Sequence, residues 1–478
     1  MNSSKSRKKY LLKNILVIGI GSIATKLISF FLVPFYTNIL STKEYGIIDL
    51  LYTICNIVFP LITLNICEAV LRFSMDKDAN HKNIINIGNL MIIVSIFLGI
   101  LAIPILNLFD TYKDYSLLFY LYLITFGSCE IFLCFLRGKE QLVDYSIGNF
   151  LYIFFVGILN VVFLKFFHLG IKGYFLAYII SNILITIFSF FRGKVYKSII
   201  SFKVDKTLMK QMVKYSFLLI PNSFMWWIMN TSDRIMVTNF VNIEANGIYA
   251  VSYKIPSLLT SITSIFTTAW LYSAVSENDS KDKNDYTSKV FNVLVSVVLL
   301  LSSFVLLILK PFMKVYVSSQ YYSAWKYVPL LIIGYTVLTL ATFFSTSYNV
   351  NKDSKGMLLS GLFGAIINIV LNFILIPQYE VYGAALATAI SYISVFVYRF
   401  FDTKKYVNIR VFTKEFVIGF IMLFVQVLSL YINSNYFYIL SIVCTVGIIV
   451  NYRKNYRSLI KNMFSMVKKK SGGKDENK

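Results

Sequence analysis

Charge is what this sequence has least of. Only 14% of its 478 residues are Asp, Glu, Lys or Arg, against about 25% in soluble globular domains. Acids are scarcer still, 23 against 46 bases, and there are only two histidines. So few charges cannot clothe a water-soluble surface of this size. No G-x-x-x-x-G-K-[ST] run occurs, so the phosphate cradle of a nucleotide-driven machine is missing. The five cysteines (Cys55, Cys67, Cys129, Cys134 and Cys444) contain no C-x-x-C pair and all sit in apolar stretches. That excludes zinc-ribbon spacing and a secreted disulfide framework, and they read as free, membrane-buried thiols. His81 and His168 fall in loops on opposite sides of the membrane. The acidic loop from Glu277 to Asp285 lacks the Gly and terminal Glu spacing of a calcium loop. No metal and no cofactor is expected.

What fills the chain instead is apolar: 57% of the residues are hydrophobic. They come in repeated runs of about 20, each long enough to cross a hydrocarbon core of about 30 Å. Spans are expected near 14–38, 45–71, 84–108, 115–136, 145–167, 170–191, 211–240, 245–275, 286–309, 323–350, 355–376, 381–401, 412–432 and 435–452. The first run is too long, and has too few small residues at its end, for a removed signal peptide. With the N-terminus inside, the cytoplasmic segments hold 36 Lys and Arg and the outer loops seven. That bias places both termini in the cytoplasm. It also accounts for the +23 net charge without nucleic acid, since no basic stretch is interleaved with base-stacking aromatics.

The sequence also echoes itself. Thr37-Asn38, Gly46-Ile47, Tyr52 and Ile54 return as Thr238-Asn239, Gly247-Ile248, Tyr253 and Ile255, at a constant offset of 201. Gly173, Leu176, Ala177 and Ser181 return as Gly383, Leu386, Ala387 and Ser391, at an offset of 210. Six spans separate the copies, an even number, so both insert in the same direction. The expected fold is an all-α integral membrane protein of about 14 transmembrane helices. Two pseudo-symmetric six-helix lobes, 14–192 and 211–402, face a central cavity, and two extra helices occupy 403–452. A basic N-terminus (1–13), an inter-lobe loop (193–210) and a basic tail (453–478) lie in the cytoplasm.

Ionisable residues inside spans mark the candidate site, because each costs about 2.5–3.5 kcal/mol at bilayer depth. Lys26 lies midway along the first span. Asp233 and Arg234 share one apolar run, and Lys254 lies in the next. If the repeat is right, Lys26, Arg234 and Lys254 converge on the cavity. Arg234 alternatively pairs with Asp233 or another helix, and Lys254 alternatively snorkels to the outer interface. Three acids are candidates for coupling. Glu68 ends the second span four residues before Arg72, with which it can pair on one helix face. Glu130 has no obvious local partner and is a cavity acid, a proton site or an interhelical hydrogen-bonding group. Asp233 binds a coupling ion or neutralises Arg234. Asp49 is expected to be solvated near the outer end. Trp226 and Trp227, beside the charged site, are candidate sugar contacts, whereas interfacial belts account for most other aromatics.

PFYTNILSTKEYG (Pro34 to Gly46) resembles the end of the first helix of the polysaccharide repeat-unit flippases. SFLLIPNSFMWWIMNTSDRIMV (Ser216 to Val237) is similar to the start of their second lobe. That family, for O-antigen, capsule and teichoic-type units, belongs to the multidrug/oligosaccharidyl-lipid/polysaccharide exporter superfamily. The resemblance implies a two-lobe flippase that moves undecaprenyl-diphosphate-linked glycans across a bacterial cytoplasmic membrane by alternating access. Its partners would be that lipid-linked glycan, membrane lipid, a polysaccharide polymerase and glycosyltransferases. The cationic triad would then hold the diphosphate. The related lipid II flippases carry arginines in this region, whereas the first lobe here offers a lysine, without the bidentate fork. Two alternatives remain: a cation-coupled multidrug antiporter of the same superfamily, and a membrane glycan polymerase or ligase.

Overall fold

The computed structural model describes residues 25–76, 78–200, 203–278, 280–432, 436–459 and 461. The expected basic N-terminus, the start of the first span and most of the basic tail lie outside these residues. The fold is all-α, with no strand among the described residues. Helix α1 covers 25–39. It is followed by α2 (Thr42–Ile62), α3 (Ile66–Ser74), α4 (His81–Gly99), α5 (Ala102–Asn107), α6 (Ser116–Gly138), α7 (Leu142–Asn160), α8 (Gly170–Arg192) and α9 (Tyr196–Ile199). Then come α10 (Lys206–Phe217), α11 (Ile220–Phe240), α12 (Ile243–Ser252), α13 (Lys254–Ser276), α14 (Lys283–Tyr316), α15 (Val328–Val350), α16 (Ser354–Asp402), α17 (Lys414–Tyr431) and α18 (Tyr436–Asn451). Among the described residues, nine helical segments are long and apolar enough to cross a membrane, or ten if the bent pair Tyr436–Asn451 and Arg453–Leu459 is one span. The protein is a multi-pass membrane protein.

Several expected spans are broken, each for a local reason. The stretch expected as one span over 45–71 is two helices, α2 and α3. Pro60 lies in the last turn of α2 and supplies no backbone N–H. Leu64 and Asn65 then adopt left-handed φ values of 50° and 53°. Between α12 and α13 the helix breaks at Tyr253. Pro256, lacking a donor, cannot bond the Ser252 carbonyl. Inside α16, Glu380 (φ 53°) separates two helical stretches, matching the expected spans at 355–376 and 381–401.

The described residues pack as two compact units, Met1–Val251 with Tyr316–Tyr321, and Ser252–Val315 with Tyr322–Lys478. In the first, Ile66, Val70, Ile84, Ile87, Ile131, Phe135, Val195 and Met212 form a buried apolar cluster. Asn86, buried on α4, donates its amide to the Ser198 and Lys203 carbonyls, both at 3.2 Å. The short segment Tyr316–Tyr321 is fastened to α1 and its end. Tyr316 donates to the Phe30 carbonyl at 2.8 Å and Tyr321 to the Leu40 carbonyl at 3.0 Å.

In the second unit, the two C-terminal helices are held by neutral polar groups. Gln426 of α17 is fully buried. It donates to the Ser303 carbonyl of α14 at 2.9 Å and to the Ser441 hydroxyl of α18 at 2.7 Å, and accepts from the Ser303 hydroxyl at 2.7 Å. Apolar side chains gain little by moving from lipid to protein, so such interhelical bonds fix which helices associate. Replacing Gln426 by Ala strands several buried hydroxyls and is expected to cost roughly 1–3 kcal/mol. Thermal unfolding in detergent should show a lowered midpoint for Gln426→Ala and almost none for Ile439→Ala, at an exposed apolar position. Equal midpoints for both would mean the network does not form.

Candidate functional site

The repeat seen at offset 201 is present in the atoms. Asn38 donates its side-chain amide to the Pro34 carbonyl at 2.7 Å, and Asn239 donates to the Ile235 carbonyl at 2.9 Å. Ser41 caps α2 by accepting from the Glu44 N–H at 3.2 Å, and Asn242 accepts from the Ala245 N–H at 2.7 Å. These caps satisfy orphan N–H groups at equivalent helix starts. The two starts then meet through their matched glycines. A Cβ on Gly46 would collide with the Ile243 carbonyl, and one on Gly247 would collide with the Thr42 carbonyl. Thr42 and Ile243 are themselves 201 apart. The contact is therefore reciprocal, as a local two-fold axis requires. Asn246, fully buried, adds a bond from its amide to the Gly46 carbonyl at 3.2 Å.

One turn further along α2, Asp49 pairs with Arg234 of α11. Their side chains are only 7% and 13% exposed. This corrects the expectation that Asp49 is solvated. Because α2 begins at Thr42, Asp49 already lies two turns inside the helix. Of the partners expected for Arg234, a group on another helix is therefore present. Asp233, 1% exposed, accepts from the Tyr249 hydroxyl of α12 at 2.8 Å. The adjacent charges of α11 thus reach separate helices, Arg234 to α2 and Asp233 to α12. Trp227 donates its indole N–H to the Thr53 carbonyl at 3.0 Å, a further tie between α11 and α2. The side chain of Trp226 lies outside the described residues.

The other expected site residues lie on separate helices. Lys26 is exposed on α1. Lys254 opens α13 in the second unit and is half-buried. Glu68 is exposed on α3, and its expected partner Arg72 instead pairs with Asp76 one turn on. Glu130 is half-buried on α6. Two of the cysteines expected as free thiols, Cys67 of α3 and Cys134 of α6, are joined in a disulfide, while Cys55, Cys129 and Cys444 are free and buried. Sequence spacing missed this pair because facing positions on two helices, 67 residues apart, leave no local signature. The carboxylate of Glu130 lies beside the two sulfurs, all three ligand atoms falling within 4.8 Å of one another.

The junction of α2, α11 and α12 generates a direct test. Breaking a buried ion pair from one side leaves an uncompensated charge, at a cost of about 3–5 kcal/mol. Asp49→Asn and Arg234→Gln should each lower the unfolding midpoint substantially, and the double variant by less than the sum of the two. Gly46→Ala and Gly247→Ala, which overpack one contact, should each cost about 1–3 kcal/mol and also combine less than additively. Strict additivity in both cycles would show that these residues do not meet.

The sequence pattern of the polysaccharide biosynthesis protein family matches residues 11–278. No curated protein sequence matches the chain. Among solved structures, the chain is similar to the lipid II flippase MurJ in an inward closed conformation. Its TM-score is 0.67 at 18% identity, over 94% of this chain and 100% of that one. It is also similar to an inward-facing multidrug resistance MATE family transporter of the MOP superfamily, with TM-score 0.62, 11% identity, 81% of this chain and 95% of the other. A MOP superfamily transporter from Pyrococcus furiosus gives TM-score 0.52 and 12% identity over 82% and 96%. At such identities the likeness is one of fold, which agrees with the all-α membrane architecture described above. With more than half of its length matched by one family, the chain belongs to the polysaccharide biosynthesis protein family.

Proposed function

We propose that this protein is a flippase that moves undecaprenyl-diphosphate-linked oligosaccharide units across a bacterial cytoplasmic membrane by alternating access, with both termini in the cytoplasm. The family match supports a role in polysaccharide biosynthesis, and the fold shared with a lipid II flippase supports a lipid-linked cargo. The observation that carries the reading is the cationic side chain of Arg234, held among apolar helices beside the carboxylate of Asp49. A diphosphate offers a guanidinium a bidentate partner that carries more charge than one carboxylate. In this reading the two six-helix lobes alternate, and Lys26, Arg234 and Lys254 supply the countercharge for the headgroup. Diphosphate arriving at Arg234 displaces Asp49 and thereby unties α2 from α11. Substrate binding is in this way coupled to opening of the Gly46–Gly247 contact. Asp233, Glu130 and Glu68 are the acids available for ion coupling, and each charge moved through 100 mV contributes about 2.3 kcal/mol. Trp226 and Trp227 remain candidate sugar contacts. A polysaccharide polymerase and glycosyltransferases would act beside it.

A second reading, a cation-coupled multidrug antiporter, has one specific observation in its favour. The buried acid Asp233 holds a tyrosine hydroxyl in a fold shared with a multidrug transporter. The two readings separate in proteoliposomes loaded with a fluorescent undecaprenyl-diphosphate oligosaccharide. Wild type should flip the lipid, while Lys26→Gln, Arg234→Gln and Lys254→Gln should each lose most of the rate at normal insertion. Absence of flipping by wild type, with gradient-driven efflux of a cationic dye, would replace the first reading by the second. Full activity in all three variants would remove the triad from the mechanism.

A further inference from the structure

The geometry points to a thiolate–carboxylate metal site formed by Cys67, Glu130 and Cys134 when the disulfide is reduced, suited to a zinc-class divalent ion. It uses none of the cations invoked for transport and shares with that reading only Glu130.

The ligands are placed as such a site requires. Glu130 and Cys134 are one turn apart on α6, so both side chains leave the same face. Cys67 faces them from α3, and the three ligand atoms lie within 4.8 Å of one another. A tetrahedral zinc ion with Zn–S of about 2.3 Å and Zn–O of about 2.0–2.2 Å separates its ligand atoms by about 3.5–3.8 Å. The cluster therefore needs only side-chain rotation to enclose the ion. Three protein ligands leave the fourth position to water. Two thiolates select for zinc-class ions over magnesium or calcium, which prefer oxygen.

The helices carrying these ligands are fixed against each other. Cys67 is buried within the apolar cluster that includes Ile66, Val70, Ile131 and Phe135. Its sulfur lies 3.7 Å from the Glu130 carbonyl oxygen. At Gly138, one turn beyond Cys134, α6 touches α3 so closely that a Cβ would stand 2.8 Å from the Leu71 carbonyl. Glu130 makes no ion pair among the described residues, so its carboxylate has no cation to surrender on binding a metal.

The disulfide and the metal are alternatives for the same sulfurs. Reduction by a phosphine transfers two electrons to the S–S bond; water supplies two protons and its oxygen leaves as phosphine oxide. Metal binding then releases the two thiol protons, since the ligands are thiolates. In a reducing cytoplasm the thiol form is the prevailing one. Either bridge pins α3, set apart from α2 by the left-handed residues Leu64 and Asn65, onto α6.

The test uses the full chain in detergent, reduced with tris(2-carboxyethyl)phosphine, freed of reductant under argon and titrated with Co²⁺. The expected result is one ion per chain, with a thiolate-to-cobalt charge-transfer band in the near ultraviolet that Zn²⁺ abolishes. Cys67→Ser and Cys134→Ser should lose the band. Glu130→Gln should keep it but weaken binding at least about tenfold, and Cys129→Ser should leave both unchanged. Alkylation mass spectrometry reports whether Cys67 and Cys134 are free. Absence of the band when both are alkylated overturns the site, as does a band that survives Cys67→Ser. A pair that resists the phosphine altogether also overturns it, leaving a permanent disulfide.

Discussion

A guanidinium buried among apolar helices costs much unless it is hydrogen-bonded or paired, and the Asp49–Arg234 pair is the constraint on which the first unit depends. Its cost is large from either side alone and modest when both charges are present. That asymmetry makes it behave as a contact that is fully made or fully broken. Around it, three helices are fixed at short range: α2 by Asp49 and Thr53, α12 by Tyr249 and Gly247, and α11 by the charged and indole groups that reach both. The matched glycines bring backbone against backbone at the same junction. A side chain as small as a methyl group would hold the helix starts apart.

The second unit solves its assembly differently. Its described polar interior relies on neutral oxygens and amides: Gln426 with Ser303 and Ser441, and Ser302 with Thr336 at 2.7 Å. Even Arg399, buried on α16, is met by a hydroxyl and a backbone carbonyl, Ser360 and Ala341, both at 3.0 Å. The network of Gln426, Ser303 and Ser441 specifies neighbours through neutral groups alone. The competition built around Arg234 is of another sort, since a carboxylate and a phosphate want the same guanidinium face.

Much of this was legible in the chain. The apolar runs fix the class because a helix is the simplest way to satisfy a backbone in lipid. The 201-residue offset survives in the atoms because Asn38 and Asn239 bond equivalent carbonyls and Gly46 and Gly247 face each other. Arg234 announced itself as a charge inside an apolar run. Its partner did not, because Asp49 and Arg234 are brought together by tertiary packing across 185 residues. The break after α2 was equally hidden: Leu64 and Asn65 take left-handed backbone angles that glycine would have flagged and leucine does not. The Cys67–Cys134 link and the acid beside it depend on the angle between α3 and α6, which no pairwise spacing encodes.

The repeat offset grows from 201 at the first echo to 210 at the second. His81 opens α4 and Lys283 opens α14, 202 residues apart, whereas Ser116 opens α6 and Val328 opens α15, 212 apart. The added length therefore lies between Lys283 and Val328, where α14 runs 34 residues against 27 for His81–Asn107. That is the stretch that delivers Tyr316–Tyr321 to α1. The longer stretch ends in the two tyrosines that hold α1 by its Phe30 and Leu40 carbonyls.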